Sequence, residues 1–145
     1  MPAGGPWCTG PKHGIRHPPK LFVGATIEHG GQRWDLLSIH RCWTGGMRRN
    51  TEAWEAEHQA LRSWCDARRD RWPGRPIVLA GDWNGRRADI GRHSIGQLAH
   101  QTGGRLTMRG IDGALTIGVA TVTARRLTRL YGSDGHRPVA VTATT

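Results

Sequence analysis

Residues 76–85 read Pro76-Ile77-Val78-Leu79-Ala80-Gly81-Asp82-Trp83-Asn84-Gly85. A continuous apolar run drives into a carboxylate, and a carboxamide follows two residues on. Such a run, preceded by Pro73-Gly74 and followed by Gly85, reads as a strand buried on both faces. In extended chain, residues i and i+2 share a face, so Asp82 and Asn84 project together from its end. A buried carboxylate is costly unless a charge or a hydrogen-bond donor meets it. A hydrated metal ion, an activated water or a phosphate contact would suffice. Gly-Asp-x-Asn-Gly is also good turn chemistry, so the stretch alone leaves a site and a turn equally open.

Working outward, residues 50–72 form the best helix. Asn50 or Thr51 can cap it, Glu52 and Glu55 suit its first turn, and Arg68, Arg69 and Arg71 suit its last. Ala53, Trp54, Ala60, Leu61, Trp64 and Ala67 recur at helical spacing, which places the two tryptophans in the core rather than on a base-stacking platform. Upstream, residues 21–40 hold two extended runs separated by Gly30-Gly31, a hairpin signal. In the second run Leu37 and Ile39 point one way, while Leu36, Ser38 and His40 point the other. Downstream, a short helix runs over 94–102, started by Ser94 and stopped by Gly103-Gly104. Three strands then follow, over 110–118, 120–127 and 137–144, rich in Val, Thr, Ile and Ala. The order predicts an α+β layered fold with a mixed sheet over residues 20–145. Residues 1–19 hold five of the eight prolines and four glycines, and read as a flexible N-terminal arm.

At 145 residues the chain suits one domain and one moderate core. It has no run approaching the roughly 18 apolar residues of a membrane span. Its first residues lack the apolar segment of a secretory signal. Cys8, Cys42 and Cys65 are odd in number and widely spaced, which points to reduced thiols in a cytoplasmic protein. The net charge of +10 is the footprint expected of a protein that meets phosphates. Of the 21 basic residues 19 are arginine, however, and a GC-rich coding sequence would give the same bias.

Further polar groups stand at the ends of predicted strands. His40 ends one, Asp112 opens another, and Ser133-Asp134-Gly135-His136 precedes the last. Each alone has an ordinary explanation as a structural histidine, a turn former or a loop. If those ends meet, His40, Asp82, Asn84, Asp112, Asp134 and His136 surround one cleft. Hard oxygen donors with imidazoles suit Mg2+ or Mn2+ and phosphoryl chemistry.

The ordered set Ser38-Ile39-His40, Val78-Leu79-Ala80-Gly81-Asp82-Trp83-Asn84, Gly110-Ile111-Asp112-Gly113 and Gly132-Ser133-Asp134-Gly135-His136 resembles the endonuclease/exonuclease/phosphatase superfamily, of deoxyribonuclease I and exonuclease III type. The likeness runs over about residues 21–145 and corresponds to the C-terminal portion of the family domain. It implies a partial four-layer α/β/β/α sandwich and Mg2+-dependent hydrolysis of a phosphodiester, with nucleic acid as the expected substrate. It further implies that Asp82 orients or deprotonates the attacking water and that Asn84 holds phosphate or water. His40 would contact the phosphate. His136 would stabilise charge on phosphorus, with Asp112 fixing its ring, and Asp134 would help bind the metal. Arg41, with Trp43 and Arg48, follows His40 directly and is placed as a substrate contact along a sugar-phosphate backbone. A solvated loop is the competing reading of these three residues.

Two features depart from the family pattern. Residues 1–27 contain neither Asp nor Glu, so the metal-binding Glu of the family's first half has no counterpart. The expected partner is therefore either a complementing N-terminal half or a second copy of the chain. Gly135 also separates Asp134 from His136, where the family writes Ser-Asp-His without a gap, and a bulge there would re-aim His136. The alternative readings are a catalytically inactive basic module that binds nucleic acid or phosphate, and a gene fragment.

Overall fold

The computed structural model describes residues 8–9, 16–17, 22–41, 51–84, 94–127 and 139–145. Within the segment expected to be an arm, β1 (Cys8–Thr9) pairs antiparallel with β2 (Arg16–His17). The expected hairpin is present as β3 (Val23–His29) and β4 (Gln32–His40), turned by Gly30 and Gly31 at φ 61° and 75°. Those left-handed angles cost glycine little.

From β4 the chain crosses over through α1 (Thr51–Arg71) to β5 (Ile77–Asp82), which pairs parallel with β4. Helix α2 (Ile95–Thr102) has both expected caps. Ser94 Oγ accepts from the Gln97 N–H at 3.1 Å, and Gly103 closes the helix at φ 64°. Two tightly turned strands follow, β6 (Arg105–Arg109) and β7 (Asp112–Ile117), then β8 (Thr121–Arg126) and β9 (Val139–Thr144). The sheet order is β3-β4-β5-β7-β6, with β8 and β9 as a separate ribbon. Mixed pairing with helices on one face makes the described part an α+β fold.

Strand β6 is absent from the sequence reading. Its apolar residues, Leu106 and Met108, are flanked by Arg105, Thr107 and Arg109. That alternation marks a half-buried strand, but residues this polar lack the β-branched density of their neighbours.

The sheet divides its residues by parity. Leu37, Ile39, Ile77, Leu79, Leu115 and Ile117 face the helices, where they meet Leu61, Cys65, Ile95 and Leu98. Each fully buried leucine there contributes about 1.5–3 kcal/mol, so this face supplies most of the fold's cohesion. The other face carries Leu36, Val78 and Ala80. With Ile27 and Val141 they line an apolar groove of about 450 Å³. The β8–β9 ribbon packs along the β6–β7 side of that face.

Helix α1 buries a stripe that overlaps the expected one, keeping Ala53 and Leu61 with Trp54 and Trp64 half-buried. Ala53, His58, Leu61 and Cys65 are buried, whereas Ala60 and Ala67 are exposed. The stripe turns because Leu61 and Cys65 stack one turn apart, and His58 lies one turn the other way. His58 Nε2 stands 2.8 Å from Gln101 Oε1, a polar tie between the helices. Burial pushes the Cys65 thiol up to about 12, so it behaves as a small core residue and not as a nucleophile. Trp64 packs against the core edge, consistent with a core role for it.

A second unforeseen feature is Asp35, which is buried at the start of β4. Its Oδ1 accepts from Thr26 Oγ1 at 2.6 Å and from Arg75 Nη1 at 3.4 Å, with Arg68 Nη1 at 3.7 Å. Arg68 and Arg75 also lie over the Trp72 ring, at 4.9 and 4.2 Å from its centroid. These cations therefore serve the fold at the end of the sheet remote from Asp82.

Candidate active site

The register of three strand pairs builds the site. His40 lies opposite Asp82 in the β4–β5 pair, Asp82 opposite Asp112 in β5–β7, and Asp112 opposite Arg109 in β6–β7. Cross-strand neighbours project from the same face. One row at the sheet's rim therefore reads His, Asp, Asp, Arg. It lies two positions beyond Ser38 and Ala80, which line the groove, so the row stands at the groove's mouth.

Backbone bonds fix the strand ends that carry the row. Arg41 N–H donates to the Asp82 carbonyl at 2.9 Å, and Trp83 N–H donates to the Ile111 carbonyl at 2.9 Å. Trp83 is itself buried, and its indole donates to the Gly113 carbonyl at 3.2 Å. The large ring thus anchors the β5 terminus against β7.

Asn84 reaches the site by a route other than strand alternation. The strand ends at Asp82, and Asn84 adopts φ 48°, a left-handed conformation that asparagine tolerates well. Its N–H donates to Asp82 Oδ1 at 2.8 Å, and its Nδ2 donates to the Arg41 carbonyl at 2.8 Å. The turn reading and the site reading of this stretch hold together: the turn is what orients the carboxylate. Asp82 Oδ2 lies 3.9 Å from His40 Nε2. Asp82 keeps 19% of its side-chain surface and His40 keeps 57%, so both are within reach of solvent.

Arg41 departs from its expected role. Its side chain is fully buried, with Nε 3.4 Å from Glu57 Oε2, Nη2 donating to the Trp54 carbonyl at 3.1 Å, and the guanidinium 4.1 Å from the Trp54 ring centroid. Burial lowers its pKa, and the Glu57 carboxylate opposes that shift. The guanidinium is thus engaged in holding the end of β4 to α1, and the residue's carbonyl, through Asn84, is what touches the site. Glu57→Ala leaves a buried cation with less compensation. It is expected to cost about 3 kcal/mol, read as a lowered denaturation midpoint with an unchanged slope.

His40, Asp82, Asn84 and Asp112 are therefore brought together. His136, Asp134 and Gly135 lie outside the described residues, as do Trp43 and Arg48. Arg109, which the sequence reading did not select, completes the row. The adjacent Asp82 and Asp112 are hard oxygen donors that would suit a divalent cation. Among the described residues, however, no group of three His, Cys, Asp or Glu side chains is arranged to hold one. Further ligands would have to come from outside them. Chemically, the row offers an oriented carboxylate, an imidazole beside it and flanking positive charge.

No protein-family model and no curated protein sequence matches the chain. In fold, it is similar to the crystal structure of truncated TDP2 from Caenorhabditis elegans, with a TM-score of 0.57 at 16% identity. At that identity the likeness is one of fold. The match covers 86% of this chain and 60% of that one; the chain spans less than two thirds of the structure it resembles. No helix among the described residues is long and apolar enough to cross a membrane.

Proposed function

We propose that the chain is a phosphodiester hydrolase acting on nucleic acid with Mg2+ or Mn2+. The observation that carries this reading is the His40–Asp82–Asp112 row, with Asn84 tied to both Asp82 and Arg41. In this reading Asp82 orients the attacking water and takes its proton. The Asn84 N–H holds one oxygen of the carboxylate, which keeps the other oxygen directed at His40's side of the rim. His40 meets the phosphate from the open side. His136 would add charge stabilisation across the cleft, with Asp112 holding its ring, and Asp134 would help bind the metal. The cation would supply charge neutralisation at the phosphoryl group.

The reading includes a partner. The apolar groove beside the row is the surface that a complementing N-terminal half, or a second copy, would cover to complete a four-layer sandwich. The basic charge favours a nucleic-acid substrate, and the thiol content favours a cytoplasmic setting.

The test is hydrolysis of plasmid DNA, an abasic duplex and a small phosphodiester, with Mg2+ or Mn2+ and with EDTA. Turnover that requires the cation is the expected result. Absence of turnover on every substrate, alongside salt-sensitive DNA binding that persists in EDTA, would replace the hydrolase with an inactive binding module.

A further inference from the structure

We infer that Arg109 and Arg126 form a phosphate clamp beside the reacting row, so that the substrate is a polynucleotide strand spanning the rim and not an isolated phosphate ester. The inference rests on the proposed reading of the row as the reacting site and adds the path of the strand across it.

The arginines whose side chains are described fall mostly into two groups; outside them, Arg69 on α1 donates to the Thr102 carbonyl at 3.3 Å and Arg71 lies over the Trp72 ring at 4.9 Å. Arg33, Arg41, Arg62, Arg68 and Arg75 each have a carboxylate partner. On β6 and β8, Arg105, Arg109, Arg125 and Arg126 are all exposed and have no carboxylate partner among the described residues. Three of them are instead fixed to backbone carbonyls across the β6–β8 seam. Arg105 Nη1 donates to the Ala120 carbonyl at 2.7 Å, Arg109 Nε to the Ala124 carbonyl at 3.0 Å, and Arg126 Nη2 to the Arg109 carbonyl at 3.2 Å. Each such bond uses one N–H and orients the guanidinium without supplying a countercharge, and Arg109 also stands beside Asp112 on the neighbouring strand. An exposed guanidinium held in place by carbonyls is suited to an anionic ligand that offers two oxygens to its fork, as a phosphodiester does.

Position selects which arginines matter. Arg109 is the direct cross-strand neighbour of Asp112, and Arg126 is bonded to its carbonyl. Neighbouring strands are about 4.8 Å apart, so the row from His40 to Arg109 spans roughly 14 Å. One phosphodiester does not reach across that distance. A strand whose scissile phosphate lies at His40 and Asp82 would bring a following phosphate to Arg109 and Arg126. Flanking cations also relieve the repulsion that two adjacent carboxylates exert on any approaching polyanion.

The test measures binding of a fluorescein-labelled single strand, and of its duplex, to the full chain in EDTA across a salt series. Arg109→Gln and Arg126→Gln are each expected to reduce the slope of log K against log salt by about one and to weaken binding roughly tenfold. Arg71→Gln removes the same charge from the last turn of α1, at the far end of the sheet, and is expected to change binding less than about twofold. Arg109→Lys should restore most of the slope. Equal losses in the Arg71 and Arg109 variants, or an unchanged slope in the Arg109 and Arg126 variants, would overturn the clamp. So would binding to vesicles rich in anionic lipid with none to either oligonucleotide. DNA hydrolysis by the wild type with an unaltered Arg109→Gln slope would remove the clamp and leave the hydrolase standing. The expected slope losses in a protein that hydrolyses nothing would support the strand path and remove the chemistry.

Discussion

Asp82→Asn is expected to lower single-turnover hydrolysis of a DNA phosphodiester by about 10³-fold, within the range of roughly 10²–10⁴ seen for a general base, and to leave the melting temperature unchanged or raised. The substitution is nearly isosteric. An asparagine oxygen at 82 can still accept from the Asn84 N–H, so the turn that closes β5 stays in place. What disappears is the negative charge and its basicity. The adjacent Asp112 then loses a like-charged neighbour on the next strand, which relieves repulsion in the folded state. Loss of activity and retention of stability are opposite in sign, and a merely structural Asp82 could not produce both. Thermal denaturation and single-turnover assays on one preparation decide it. A variant that melts as the wild type does and still hydrolyses at the wild-type rate would exclude Asp82 from proton transfer.

The parts of this fold that announce themselves in the sequence are those whose cause is local. Ser94 and Gly103 delimit α2 because capping chemistry is confined to a few residues. The Gly30-Gly31 turn and the buried β5 run are local in the same sense. The site is partly legible for a related reason: His40, Asp82 and Asp112 each end or begin an apolar strand. Their alignment in one row depends on register, which no single stretch encodes.

The misreadings follow the same logic. Arg41 looks like a solvent-facing cation after a strand, and only its long-range partner Glu57, sixteen residues on, accounts for its burial. Asp35 pairs with Arg68 and Arg75, more than thirty residues away. Arg109 became visible as a neighbour of the site only once β6 was paired with β7. The Asp82–Asn84 relation is a subtler case. Strand alternation predicted proximity for a reason that does not apply, because the chain leaves extended geometry at Asn84.

Gly81→Ala is expected to prevent folding or to lower the melting temperature by about 10 °C or more. Gly81 lies between Ile39 on β4 and Gly113 on β7, one residue before Asp82. A Cβ at this position would stand 2.0 Å from the Ile39 carbonyl oxygen, which is backbone and cannot rotate away. The residue also adopts φ 145°, a region that side-chain-bearing residues rarely occupy. The backbone strain alone costs about 1–3 kcal/mol, and relieving the clash requires β4 and β5 to separate where their pairing sets the active row. A total of at least about 3 kcal/mol is a large share of the ~5–15 kcal/mol that stabilises an average domain. For a chain of this size it corresponds to roughly 10 °C. Gly31→Ala is the control. Gly31 is also left-handed, at φ 75°, but an added Cβ there meets nothing within 4 Å, so its cost is expected to stop at about 1 kcal/mol. Calorimetry or chemical denaturation of the two variants separates the steric clash from the dihedral strain. Equal losses in both would show that strand proximity at Gly81 is not what holds His40 beside Asp82.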